Sequence, residues 1–151
     1  MPTINNDHAL REALNALTSE QQRILGSRFA QHVVQLSKDE RVSRAIATGL
    51  REEVGPGELE DAYKAAKAYA AKTYTDCGKD TDWLAQADHF VAAAAAAALT
   101  PDALLAEKQN RAWKAAMQAR MAVNCTMMEG EDAPETSEAE HQYALASAFM
   151  G

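Results

Sequence analysis

Apolar residues recur every three or four positions along most of the chain, which is the spacing of α-helices that bury one face. The stripes predict six helices and a short seventh, separated by capping residues, glycine and proline. Side-chain caps are expected at Asp7 for the first helix and at Ser37 with Glu40 for the third. The second helix has two overlapping capping boxes, Thr18 with Gln21 and Ser19 with Gln22. The third helix is predicted to end near residue 54, and the later ones to span about 58–77, 82–99, 101–128 and 138–149.

One of these segments is apolar on every side. Ten consecutive apolar residues run from Phe90 to Leu99, and seven of them are alanine. A helix that is apolar all round is buried all round, so we expect residues 82–99 at the centre of the fold. Short connections favour antiparallel neighbours. The sequence therefore predicts an all-α, up-and-down bundle of six to seven helices around a central Ala-rich helix.

Composition supports this fold class and suggests a division of the chain. Alanine, the strongest helix former, makes up about a fifth of the sequence. The stretch 129–137 is acidic and contains glycine and proline, which is typical of a linker. We therefore expect a bundle domain at 1–128. Residues 129–151 are expected to form an acidic linker and a short C-terminal helix that do not belong to the core of the bundle. Tyr143, Leu145 and Phe149 of that helix offer a way to form a homodimer.

Charge excludes some classes of partner. The net charge is −7, and residues 129–151 carry six acids with no lysine or arginine. No large basic face is available for nucleic acid or for an anionic membrane. A helix-turn-helix over 40–70 would place Glu58, Glu60 and Asp61 at the start of its second helix, where base contacts are made. Three acids there would repel the phosphates of DNA, which disfavours this interpretation. The N-terminus lacks a signal-peptide pattern and the longest apolar run is too short to span a bilayer, so a cytoplasmic location with reduced cysteines is expected.

A soft-metal site is one candidate for chemistry. Met121, Cys125 and Met128 lie at i, i+4 and i+7 on one face of the sixth predicted helix, and Cys77 is expected at the same end of the bundle. Thiolate and thioether ligands suit copper(I). One alternative is ordinary core packing, because methionine and free cysteine are common in cores. Another is a disulfide or redox pair of the two cysteines.

Two further groups are candidates for recognition. Asp88 and His89 form the acid–histidine pair next to the apolar run, and Arg111, Lys114 and Arg120 form the basic side of the sixth predicted helix. Burial could turn the first pair into a functional dyad, and the second group could contact an acidic partner or the chain's own C-terminal segment. The alternatives are one structural hydrogen bond and a solvated face.

Familiar catalytic and cofactor motifs do not occur in the sequence. It has no glycine-rich phosphate loop, Cys-x-x-Cys or Gly-x-Ser-x-Gly motif. A di-iron centre needs two Glu-x-x-His motifs, and only Glu138 with His141 has this spacing. We interpret that pair as a solvated helix end. The sequence therefore predicts a protein that is not an enzyme and needs no cofactor.

Part of the chain resembles a known family. The order Asp39-x-Arg41-Val42-x-x-Ala45-Ile46, an Ala-rich helix, Asp88-His89 and Ala115-Ala116-x-x-Ala119-Arg120 resembles small all-α bacterial immunity-type proteins over about residues 28–123. The resemblance implies an inhibitor that binds a toxin and performs no chemistry. Our leading interpretation is thus a non-enzymatic, cytosolic protein-binding module that uses the Asp88/His89 side, the basic face or the acidic segment. A bundle that binds copper(I) or a small ligand is the alternative.

Overall fold

The structure is a computed structural model that describes residues 4–76, 83–129 and 138–150. Over these ranges the chain forms helices and no strand, so the predicted all-α bundle is confirmed. Short 3₁₀ helices lie at Val34–Leu36 and Asp102–Leu104. The α-helices of the described ranges are α1 (Asp7–Asn15), α2 (Ser19–His32), α3 (Glu40–Leu50), α4 (Pro56–Asp76), α5 (Trp83–Leu99), α6 (Arg111–Glu129) and α7 (Glu138–Met150). Within the described ranges, none of them combines the length and apolar character needed to cross a membrane.

The caps of the first two helices follow local side-chain chemistry. The predicted capping box of α2 is confirmed: Thr18 Oγ accepts a hydrogen bond from the Gln21 amide at 3.2 Å, and Gln21 Oε1 accepts one from the Thr18 amide at 3.0 Å. The cap of α1 is Asn6 and not Asp7, since Asn6 Oδ1 accepts from the Ala9 amide at 2.8 Å. This one-residue shift leaves the Asp7 carboxylate for another contact.

Helix α3 is shorter than its apolar stripe. Asp39 caps it by accepting from the Arg41 amide at 2.7 Å, whereas the predicted cap, Ser37, donates its hydroxyl elsewhere. The helix ends at Leu50, and Pro56 begins α4, as proline can do where its missing N–H is not needed. Helix α3 therefore begins three residues after the predicted capping serine and ends four residues before the predicted limit near residue 54.

The prediction of one helix over 101–128 is wrong. Residues 102–104 form a single 3₁₀ turn, and α6 begins only at Arg111. Asn110 Oδ1 accepts from the Trp113 amide at 3.1 Å and starts the helix there. Lys108 has a φ of 69°, a left-handed conformation that no helix passes through. The connection 100–110 consequently lies across one end of the bundle.

Helix α5 occupies the centre, as its composition predicts. No side chain from residues 85 to 99 is exposed, and α5 contacts α2, α3, α4 and α6. Contacts between Arg23 and Gly49, and between Thr100 and Arg111, show that α2 runs antiparallel to α3, and α5 to α6. The up-and-down order follows from these pairings.

Helix α7 packs on the bundle and does not lie apart from it. Ala146 and Gln142 are fully buried, and Gln142 Nε2 donates to the Ala116 carbonyl of α6 at 2.8 Å. Tyr143, Leu145 and Phe149 are half-buried against the same apolar cluster as α1, α2 and α6. The side chains that sequence alone offered for a homodimer are thus used within one chain.

Two glycines let α2 lie against its neighbours. A Cβ at Gly26 would be 3.1 Å from Ala98 Cβ and 3.3 Å from the Ala112 backbone, so α2 meets α5 and α6 almost backbone to backbone. A Cβ at Gly49 would be 2.1 Å from Ser27 Oγ. Ser27 Oγ is itself buried and has no hydrogen-bond partner among the described residues. Residue size therefore controls this contact.

We predict that Gly49→Ala lowers the free energy of unfolding by about 1–3 kcal/mol, because the added methyl group overlaps Ser27. Gly57→Ala is the matched control, since nothing lies within 4 Å of its Cβ position; it should gain up to about 1 kcal/mol of helix propensity. Urea unfolding followed by circular dichroism measures both. Adding Ser27→Ala to Gly49→Ala should recover part of the loss, and equal stability of the two single glycine variants would contradict the packing described.

Candidate functional site

Asp88 is a buried acceptor at the junction of three segments. Its side chain is 7% exposed. One carboxylate oxygen accepts from Ser37 Oγ at 2.7 Å and from the Lys38 amide at 3.2 Å, and the other accepts from Tyr69 Oη at 2.5 Å. Burial, and then the hydrogen bond to Asp88, raise the pKa of Tyr69. The carboxylate therefore joins α5 to α4 and to the segment before α3.

His89 points away from this network and contacts α4. Its Nδ1 lies 3.0 Å from Thr73 Oγ1, and its ring is 5.8 Å from that of Tyr74. Burial lowers its pKa, against the opposing effects of a backbone hydrogen bond at Ala70 and the charge of Asp88. The two side chains of the predicted dyad thus have different partners, and they do not form an acid–imidazole pair.

Two arginines of the predicted basic face are held within the fold. Arg111 is 5% exposed; its Nε donates to the Thr100 carbonyl at 2.5 Å, and its Nη2 pairs with Asp102. This pairing lowers the pKa of Asp102. Arg120 Nε donates to Gln142 Oε1 at 2.8 Å, and its two Nη atoms donate to Asp7 at 2.7 and 3.1 Å. Arg120 therefore contacts the chain's own C-terminal helix, as one interpretation of the sequence allowed.

Lys114, the third residue of the predicted basic face, lies apart from the contacts that Arg111 and Arg120 make. It lines a small pocket with Arg11 of α1 and with Lys108 and Gln109 of the 100–110 connection. Its Nζ donates to Gln109 Oε1 at 3.3 Å. Of the three residues of the predicted basic face, Arg111 and Arg120 therefore make contacts within the chain, and Lys114 remains at the surface.

A mainly apolar groove lies at the same end of the bundle as Lys114. This groove of about 550 Å³ is lined by the first turns of α2 and α4, the end of α5 and the 100–104 segment. Leu59 and Leu99 lie along it, and Leu104 stands on its rim with 62% of its surface exposed. We call this the end groove. Of the recognition residues predicted from sequence, only Arg111 lines it.

Two of the four predicted copper ligands cannot be placed, because their side chains lie outside the described residues. Cys77 belongs to the residues that the structure does not describe, and the side chain of Met128 is likewise undescribed. Cys125 is buried and Met121 is 44% exposed. Over the described ranges, no group of three or more histidine, cysteine, aspartate or glutamate side chains is placed to hold a metal. The copper(I) site therefore remains a prediction.

Glu138 has a role that its sequence position did not suggest. Its side chain is buried, and Oε2 lies 2.8 Å from His32 Nδ1 of α2. The His141 ring lies 4.8 Å from the ring of His32. The interpretation of Glu138 as a solvated helix end is wrong, because its contact with His32 holds the first turn of α7 against α2.

Comparison with family models, with curated proteins and with solved structures found no match to this chain. The resemblance to immunity-type proteins therefore remains a prediction.

Sequence reasoning missed several residues at this end of the bundle. Leu104, Lys108 and Asn110 were assigned to the sixth helix, so neither the end groove nor the small pocket was foreseen. One local signal was available: Asn110 is a strong N-cap residue and directly precedes the stretch that becomes α6. Arg11 gave no signal, because only the packing of α1 on α6 places it beside Trp113, at 4.9 Å from the ring centre.

We predict that Asp88→Ala lowers the free energy of unfolding by about 2–4 kcal/mol, because buried donors to a carboxylate lose their acceptor. Tyr69→Phe, which removes one donor, should cost less. Asp61→Ala removes an exposed acid of α4 and serves as the control. Urea unfolding provides the comparison, and an Asp88→Ala protein as stable as the control would disprove the structural role.

We predict that Arg120→Gln raises the pKa of Asp7, because the hydrogen bond from Arg120 is the main cause of its lowered value. A lowered folded-state pKa gives stability that is complete above the ordinary aspartate value of about 3.9 and is lost as the pH falls through the folded-state value. Carboxyl ¹³C NMR titration of Asp7 measures the shift. Arg44→Gln, which removes an exposed pair with Glu40, should leave the Asp7 titration unchanged.

Proposed function

We propose that this protein is a non-enzymatic protein-binding module, and that the end groove binds an apolar segment of its partner. The observation that carries the proposal is the groove itself, which has a volume of about 550 Å³ and a mainly apolar lining. Contiguous apolar surface of this kind marks interaction sites.

The lining combines apolar and charged residues, as the surfaces of protein interfaces do. Apolar residues form the floor, among them Leu59, Leu99 and Pro101, and charged side chains surround them. An apolar centre with a polar rim is the usual arrangement of binding patches. Leu104, exposed on the rim, supplies a side chain that a partner can cover.

The arginines of the groove take part in structural contacts. Their guanidinium groups are held by backbone carbonyls: Arg23 donates to Gly49 and Arg51, and Arg111 donates to Thr100. None of the described lining residues is a histidine or a cysteine, the usual proton carrier and nucleophile. These contacts support binding over chemistry. An immunity-type inhibitor with a toxin as its partner is one form of such a module, which the sequence resemblance implies.

The test is selection of peptides from a displayed random library on the full-length protein, followed by calorimetric titration of the selected peptides. We expect them to share a large apolar residue and to bind Leu104→Asp at least about tenfold more weakly, as expected when one anchoring contact worth about 1.4 kcal/mol is lost. Leu84→Asp is the matched control, because Leu84 is also an exposed leucine and lies at the opposite end of α5.

Two results would overturn the proposal. One is the absence of any peptide whose binding distinguishes Leu104→Asp from Leu84→Asp. The other is saturable binding of a small apolar dye in the groove, mapped by amide NMR shifts, while no selected peptide competes with it; that result would favour a small-ligand-binding bundle.

A further inference from the structure

The small pocket around Lys114 has a cationic lining. It encloses about 190 Å³ between the end of α1, residues 108–110 and the start of α6. Three of its described lining residues are cationic, Arg11, Lys108 and Lys114, and none is acidic. We call it the cationic pocket. It occurs in a chain whose net charge is −7.

Elsewhere the described cations commonly have a carboxylate beside them. Arg41 pairs with Asp39, Arg44 with Glu40 and Arg51 with Glu58; the buried Arg111 pairs with Asp102, and the partly buried Arg120 pairs with Asp7. In the cationic pocket, none of the three cations forms an ion pair with a residue that the structure describes. Lys114 donates to the neutral amide of Gln109, and Arg11 lies over the Trp113 ring.

The floor of the cationic pocket is held in place. Asn110 is 6% exposed, its Nδ2 donates to the Leu14 carbonyl at 2.9 Å, and its Oδ1 caps α6. The Trp113 ring is flanked by the guanidinium groups of Arg11, at 4.9 Å, and Arg120, at 5.9 Å. Fixed neutral groups with converging cations stabilise an anion without having to reorganise around it.

The pocket and the end groove border the same connection. Leu104 lines the groove and Lys108 lines the pocket, and four residues of extended chain span at most about 14 Å. One short segment of a partner can therefore reach both sites.

We propose that the cationic pocket binds a side-chain carboxylate of the partner, so that the recognised segment carries an aspartate or glutamate close to its apolar anchor. This assignment rests on the proposed function of the end groove. The partner would then be an acidic protein segment, because its carboxylates complement the cations of the pocket. The end groove alone does not supply this complementarity.

The test uses Trp113 as its reporter. The chain has two tryptophans, and Trp83→Phe leaves only the one in the pocket. Hexaglutamate is titrated into this full-length variant, with hexaglutamine and inorganic phosphate as comparison probes. We expect saturable change in Trp113 emission with hexaglutamate alone, weakening as salt increases because the attraction is between charges at a surface.

Paired charge variants locate the binding. Lys108→Gln with Lys114→Gln should weaken hexaglutamate binding about tenfold or more. Lys64→Gln with Lys67→Gln removes the same charge from α4, away from the pocket, and should change binding by less than about twofold. Equal weakening by both pairs, no binding of hexaglutamate, or binding of phosphate without hexaglutamate would overturn the assignment.

The groove peptides separate this assignment from the proposed function. We expect the selected peptides to contain an acidic residue and to bind more weakly to the Lys108/Lys114 pair of variants. Peptides that depend on Leu104 but are indifferent to both lysines would leave the groove function standing and remove the acidic partner. If hexaglutamate binds but no peptide binds the groove, then the proposed function is wrong, and so is the proposal that one partner occupies both sites.

Discussion

At Gly26 the backbone of α2 runs so close to α5 and α6 that a methyl group there would lie 3.1 Å from Ala98 Cβ. This approach requires small residues on all three helices, and the alanines of α5 and α6 provide them on two. Gly49 provides the same access for α3 against Ser27. With so little side-chain volume at the crossings, the helices pack at short distances and α5 is enclosed.

Close packing has a consequence for polar side chains. Where helices meet at such short range, a buried charged group needs partners within its immediate surroundings. Asp88 accepts three hydrogen bonds, Glu138 pairs with His32, and Arg120 connects α1, α6 and α7. These residues hold the helices in register. The most conspicuous polar residues of the sequence are in this way used inside the bundle, and surface features at one end remain to meet a partner.

The predictability of each feature depended on the range of the interactions behind it. The Thr18 cap and the central position of α5 were predictable, because capping is a matter of three residues and an all-apolar helix has only one favourable environment. The end of α3 and the start of α6 were not. An apolar stripe can continue past the point where a cap such as Asn110 or a left-handed residue such as Lys108 ends the helical backbone.

The sequence by itself determined an all-α bundle, because alanine content and apolar periodicity act locally and agree along the chain. It also singled out Asp88, His89, Arg111, Lys114 and Arg120 as candidates for a structural or a recognition task. Only the tertiary structure decided which task, since Arg111 and Lys114 are three positions apart and have the same charge. Arg111 is buried and contacts Asp102 and Thr100, whereas Lys114 lines a surface pocket with Arg11 and Lys108. That difference depends on residues distant in sequence, so no pattern along α6 could have shown it.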